Sequence, residues 1–128
     1  MLYAVLCYND ENAVSTWTKE EDDACMARLA VVQDKMAAAG KLGPVARLKN
    51  TDTATTLRKN GGQPMIVDGP FAETKEQFLG FYVVDCETLE EVHEFVRELA
   101  EANPGPGCYE IRPVSIFNPA TLEKSAAA

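Results

Sequence analysis

Among its 128 residues the chain has one histidine, His93, and one tryptophan, Trp17. A lone imidazole with no clustered ligands makes no metal site, and His93 falls at the border of an apolar helix face, where it reads as structural. C-x-x-C pairs are absent. Cys7, Cys25, Cys86 and Cys108 are widely separated, which removes the spacing expected of zinc ligands or a redox dithiol. The apolar octet Met1 to Tyr8 has no basic flank and no small-residue cleavage pattern, so it reads as a strand rather than a secretory signal. A cytoplasmic protein with free, packed thiols is therefore expected; two disulfides are the alternative in an oxidising compartment. No apolar run approaches the roughly eighteen to twenty residues of a membrane span, so no membrane partner is expected. Basic residues are scarce too: twelve Lys and Arg face twenty Asp and Glu, for a formal charge of −8. A phosphate backbone would meet net repulsion, and nucleic acid is not an expected partner. No nucleophile-base pair is visible, and Gly61-Gly62 sits in a turn signal without a following helix, unlike a phosphate-cradling loop. No cofactor or metal is expected.

What is present is an ordinary globular composition, 46% apolar and 25% charged, long enough for one domain with a real core. That domain is expected over residues 1–118, with 119–128 as a flexible tail lacking apolar periodicity. Cys25, Leu29, Val32, Met36 and Ala39 recur at helical spacing between Lys19 and Ala39. Thr18 with Glu21 forms a capping box before this helix, and Gly40 is its natural stop. A second helix opens on Thr88 and Glu91, another box, and turns Leu89, Val92, Val96 and Leu99 inward. Asn103-Pro104-Gly105-Pro106-Gly107 ends it, because proline cannot continue the ladder. Acidic residues concentrate on these helices: four lie between residues 20 and 23 and six between Glu87 and Glu101. The negative charge is a coat.

Extended segments are expected at Met1 to Tyr8, Pro44 to Leu48, Phe78 to Asp85 and Cys108 to Phe117. A hairpin of Ala54 to Arg58 and Pro64 to Val67 turns on Asn60-Gly61. The order β-α-β, hairpin, β-α-β predicts an α+β, ferredoxin-like split βαβ fold with an inserted β-hairpin. Its first and third main strands, apolar on both faces, should be central. The last strand alternates, with Cys108, Glu110 and Arg112 on one face and Tyr109, Ile111 and Pro113 on the other. Two helices cover only one face of a four-stranded sheet, so a second copy packed sheet to sheet, a homodimer, is expected on the other.

The least generic stretch runs from Val67 to Gln77. Asp68 ends a strand, Gly69 permits close backbone approach, and Pro70 sets the bend that aims Phe71. Glu73, Lys75 and Glu76 follow, and an ammonium beside a carboxylate favours its ionised form, which suits acid-base work by Asp68 or Glu73. The structural alternative is an ordinary turn followed by a solvated short helix at Lys75 and Glu76. Glu110 and Arg112 share a strand face, where Arg112 can hold a carboxylate or pair at an edge. Tyr8 and Trp17 are placed to line a pocket mouth, or simply to pack.

Asp68-Gly69-Pro70-Phe71-Ala72-Glu73-Thr74-Lys75-Glu76 resembles the signature of the YCII-related proteins of the DGPF type. Thr53-Ala54-Thr55-Thr56-Leu57-Arg58, Gly80-Phe81-Tyr82 and Tyr109-Glu110-Ile111-Arg112-Pro113-Val114 follow the same family's order. The resemblance covers residues 1 to about 117 and implies a dimeric α+β barrel with a pocket near the dimer interface. It implies no assigned activity, although some members lie beside extracytoplasmic-function sigma factors. Some relatives place a histidine in the first helix, paired with an aspartate; the aligned position here is Cys25, on the apolar stripe, where a buried thiol is protonated and inert.

Three functions follow as expectations. The first is a dimer binding a small polar molecule through Asp68, Gly69, Pro70, Phe71, Lys75, Tyr8, Glu110 and Arg112, with a regulatory role beside a sigma factor. The second is a lyase- or hydrolase-like enzyme with Asp68 or Glu73 as general base. The third is a protein-interaction module that recognises a sigma factor.

Overall fold

The computed structural model describes residues 1–59 and 61–120. Along the chain come β1 (Leu2–Asn9), α1 (Glu11–Ser15), α2 (Lys19–Ala38), β2 (Leu42–Arg47), a 3₁₀ turn (Thr51–Thr53), β3 (Thr55–Arg58), β4 (Met65–Asp68), β5 (Gln77–Asp85), α3 (Leu89–Ala102) and β6 (Cys108–Pro113). Four strands form one antiparallel sheet in the order β2-β5-β1-β6, and β3 with β4 forms a separate hairpin sheet. This is the ferredoxin-like α+β arrangement, with β1 and β5 central as their two-sided apolar character requires. No described helix is long and apolar enough to cross a membrane. The turn reading at Asn60 and the tail reading for residues 121–128 lie outside the described residues.

Local chemistry explains the helix ends. Thr18 Oγ1 accepts from the Glu21 backbone N–H at 3.1 Å, and Glu21 Oε1 accepts from the Thr18 N–H at 3.2 Å, so two orphan donors of α2 are satisfied. At its other end Gly40 takes φ +72°, and Lys41 N–H donates back to the Met36 carbonyl at 2.9 Å. At α3 only half of the expected box forms. Thr88 Oγ1 accepts from Glu91 N–H at 3.2 Å, but the Glu91 carboxylate accepts from Glu87 N–H and from the Lys41 ammonium instead. The Lys41 contact holds the Glu91 carboxyl below its usual range and raises the Lys41 ammonium above its own.

The core lies between the helices and one sheet face: Tyr3 and Val5 of β1, Tyr82 and Val84 of β5, and Phe95 and Leu99 of α3. Cys25, Leu29 and Val32 supply the α2 side, as their spacing predicts, with Met36 partly buried against them. Ala39 and Leu89 are corrections. Both are exposed, because α2 has ended at residue 38 and Leu89 is the first residue of α3, outside the face that Val92, Phe95 and Leu99 bury. β6 stops at Pro113 rather than Phe117; Val114 N–H still donates to the Leu2 carbonyl at 2.9 Å, and the chain then leaves the sheet. β2 starts earlier than expected, at Leu42, and its register with β5 shifts between Leu42 and Val45, around a proline that has no donor for the ladder. Lys75 and Glu76 form no helix. Neither α1 nor the 3₁₀ turn was legible as an element; Asp10 caps α1 by accepting from Asn12 N–H at 2.9 Å.

On the opposite face of the sheet Leu2, Ala4, Leu6 and Phe81 are only half-buried, and no helix among the described residues covers them. The hairpin leaves Leu57, Met65 and Ile66 exposed, Ile66 at 70%. Large apolar area thus remains facing solvent in the single chain.

Candidate functional site

A chamber of about 140 Å³ lies between α2 and the helix-covered sheet face. Its origin is legible in the register. Cys7 of β1 stands opposite Gly80 of β5 and Tyr109 of β6, whereas the next inward row is Val5, Tyr82 and Ile111. A thiol and a glycine at the centre of the sheet leave volume that larger side chains would fill. Gly80 cannot readily be larger, since a Cβ there would sit 2.3 Å from the Ala46 carbonyl oxygen of β2. The roof is one face of α2, Cys25, Leu29 and Gln33, four residues apart. Val14 and Trp17 close one side, and Asn103 stands where α3 ends. A second, larger groove of about 360 Å³, lined by Trp17, Arg28 and Pro104, adjoins the chamber and shares Trp17, Cys25 and Asn103 with it.

Burial sets the electrostatics. It pushes the Cys7 thiol and the Tyr109 phenol each up to about 12 and raises Cys25 and Tyr82 above their ordinary values, so all four are protonated at neutral pH. Cys25 therefore lies in the chamber wall without being an activated nucleophile; its Sγ approaches the Ala102 carbonyl at 3.9 Å. The same carbonyl, an orphan acceptor at the end of α3, accepts from Arg28 Nε at 2.7 Å. At the rim Arg47 Nη2 donates to Asp22 Oδ1 at 3.2 Å, joining β2 to α2. Gln33 Nε2 donates to the Tyr82 hydroxyl at 3.3 Å, and the Asn103 side chain lies against the Tyr109 hydroxyl.

The residues expected from sequence lie elsewhere. Asp68, Glu73 and Lys75 are exposed, and Phe71 is 74% exposed. Gly69 takes φ +99°, its N–H donates to the Ala54 carbonyl at 2.7 Å, and its own carbonyl accepts from Thr56 Oγ1 at 2.8 Å. Arg58 donates to the Phe71 carbonyl. The Asp68 to Phe71 turn is thereby fastened to the hairpin. Its downstream end braces the chamber wall indirectly: Gln77 Oε1 accepts from Glu11 N–H at 2.9 Å, and the Glu11 carboxylate accepts from Thr51 N–H at 2.8 Å and Thr51 Oγ1 at 2.6 Å, holding α1 in place. Tyr8, Glu110 and Arg112 do come together, on the uncovered sheet face. Tyr8 hydroxyl donates to Glu110 Oε1 at 3.1 Å, its ring meets Phe78 at 5.5 Å, and Arg112 lies near. Tyr8 borders a further cavity, behind Gly105 to Gly107; Trp17 lines the chamber as one reading of it expected. Tyr82, Tyr109, Gln33 and Asn103 were missed. The i, i+4 relation of Cys25 with Leu29 and Gln33 was the available signal, but the strand pairings that bring the two phenols beneath them span the chain.

A family model, the YCII-related domain, matches residues 1–118. The chain is also 57% identical over 122 residues, 95% of its own length and 98% of the relative's, to an uncharacterized protein of Rhizobium meliloti (strain 1021). The signature around Asp68, the ferredoxin-like fold and these matches agree: the chain belongs to the YCII-related domain family.

Proposed function

We propose that this YCII-related protein is a homodimer that binds a small molecule in the chamber beneath α2. The observation that carries the reading is the chamber itself, a half-open cavity that Cys7 and Gly80 leave between α2 and the sheet. A second copy would cover the face bearing Leu6 and Phe81, with the apolar hairpin residues completing a self-complementary patch. The small polar ligand expected at Asp68 is replaced in this reading by one held under α2. Asp68 and Glu73, both solvent-exposed, gain no observation in favour of general-base chemistry. A net charge of −8 favours a basic regulatory partner such as a sigma factor.

Sedimentation at micromolar concentration is expected to give a dimer for the native chain and a monomer for Phe81→Arg, which places a charge in the apolar patch; a native monomer would overturn the dimer. Thermal shifts with ring-sized fragments test the chamber. Fragments that stabilise the native protein should lose their effect in a folded Leu29→Phe variant, whose added ring volume fills the space. Equal shifts in both would place binding elsewhere.

A further inference from the structure

We infer that the chamber selects an uncharged, ring-sized molecule carrying one hydrogen-bond acceptor, held by the hydroxyls of Tyr82 and Tyr109; this rests on reading the chamber as the binding site. Size comes first. A half-open cavity near 140 Å³ has room for one ring, since a roughly 150 Å³ apolar cavity accommodates benzene. Charge comes second. The charged groups at the rim, Asp22 and Arg47, are paired with each other, and Arg28, whose Nε donates to the Ala102 carbonyl, lines the neighbouring groove and not the chamber. No cation among the described residues is left inside to offset the desolvation of an anion, and no anion to offset that of a cation.

The polar handles decide the rest. Tyr82 oxygen accepts from the Gln33 amide, and the Asn103 side chain lies against Tyr109 oxygen. Tyr82 is thereby used as an acceptor and keeps its own O–H to donate, and the Tyr109 phenol lines the same chamber. Among the described residues no protein acceptor takes either hydrogen. A carbonyl, nitro or ether oxygen on a flat ring would satisfy this arrangement. A purely apolar ring would leave the donors unmatched, and a carboxylate would enter unpaired.

Titrations at pH 7 following Trp17 fluorescence, the chain's one indole and part of the chamber wall, test the inference with three probes on the same ring: acetophenone, toluene and benzoate. Acetophenone should bind tightest. Tyr82→Phe or Tyr109→Phe should weaken acetophenone by about 3- to 10-fold, the loss of one neutral hydrogen bond, while leaving toluene unchanged. Benzoate binding more tightly than acetophenone would overturn the ligand class while leaving the chamber standing. Toluene matching acetophenone, or neither phenylalanine variant affecting acetophenone, would overturn the acceptor requirement. Silence of all three probes, with Leu29→Phe behaving as the native chain toward every fragment, would remove the binding site itself.

Discussion

Replacing Phe95 with alanine is expected to destabilise the fold by about 3–5 kcal/mol. Phe95 is 1% exposed, and its ring meets that of Tyr82 edge-on, with centroids 5.5 Å apart and planes at 87°. Removing it abandons both the apolar contact area and the aromatic pairing, and leaves a void that Val92, Leu99 and Val5 cannot fill without moving backbone. The loss should appear as a lower urea midpoint with an unchanged slope, and as a fall in Tm of about 10–15 °C at constant protein concentration. Leu89→Ala on the same helix is the control, because Leu89 is half in solvent and should change stability by less than about 1 kcal/mol. A Phe95→Ala variant as stable as Leu89→Ala would contradict the packing of α3 on the sheet. Tyr82 loses its supporting ring in that variant, so binding in the chamber should weaken even where the fold survives.

The second large effect is alkaline. Cys7 and Tyr109 keep their protons to about 12 in the folded state, whereas in the unfolded chain a thiol ionises near 8.5 and a phenol near 10. Above those values the unfolded state binds fewer protons than the native one, so stability falls as pH rises. It is fully present below about pH 8.5, declines from there through Cys7, and declines more steeply above about pH 10 as Tyr109 joins. Each group contributes up to about 1.4 kcal/mol per pH unit. Urea midpoints measured under reducing conditions at pH 7, 9 and 10 should show the fall, and Cys7→Ala should flatten it between pH 9 and 10. A midpoint unchanged across that range would mean that water reaches the chamber floor freely. The same burial that causes this sensitivity keeps the chamber neutral at physiological pH, so the stability measurement also reports on the environment offered to a ligand.

Several features were decided locally and could be read without a structure. Thr18 with Glu21, Gly40 at φ +72° and the Pro-Gly run after Asn103 delimit helices through hydrogen bonds and dihedral limits that involve only neighbouring residues. Strand centrality was equally legible, because β1 and β5 are apolar on both faces and only central strands need to be. The hairpin around residues 55–68 followed from its turn residues and flanking extended segments. The Glu91 cap was only half legible. Its partner across 50 residues, Lys41, competes for the carboxylate, and no local pattern announces such a competitor.

The site divides along the same line. The amino-acid sequence by itself determined the family signature from Asp68 to Glu76, the two helices, the acidic coat and the central strands with apolar residues on both faces. A signature was visible because its residues adjoin in the chain, yet its conformation serves to fasten a turn to the hairpin through Thr56 and Arg58. Only the tertiary structure decided that Cys7, Gly80 and Tyr109 stand in one row, because antiparallel register joins residues separated by 73 and 102 positions. The gap they leave beneath Cys25 and Leu29, and the burial that keeps the Cys7 thiol and the Tyr109 phenol protonated, follow from that row. Cavities arise from what distant side chains fail to fill, and that is a property of packing which no single stretch of sequence carries.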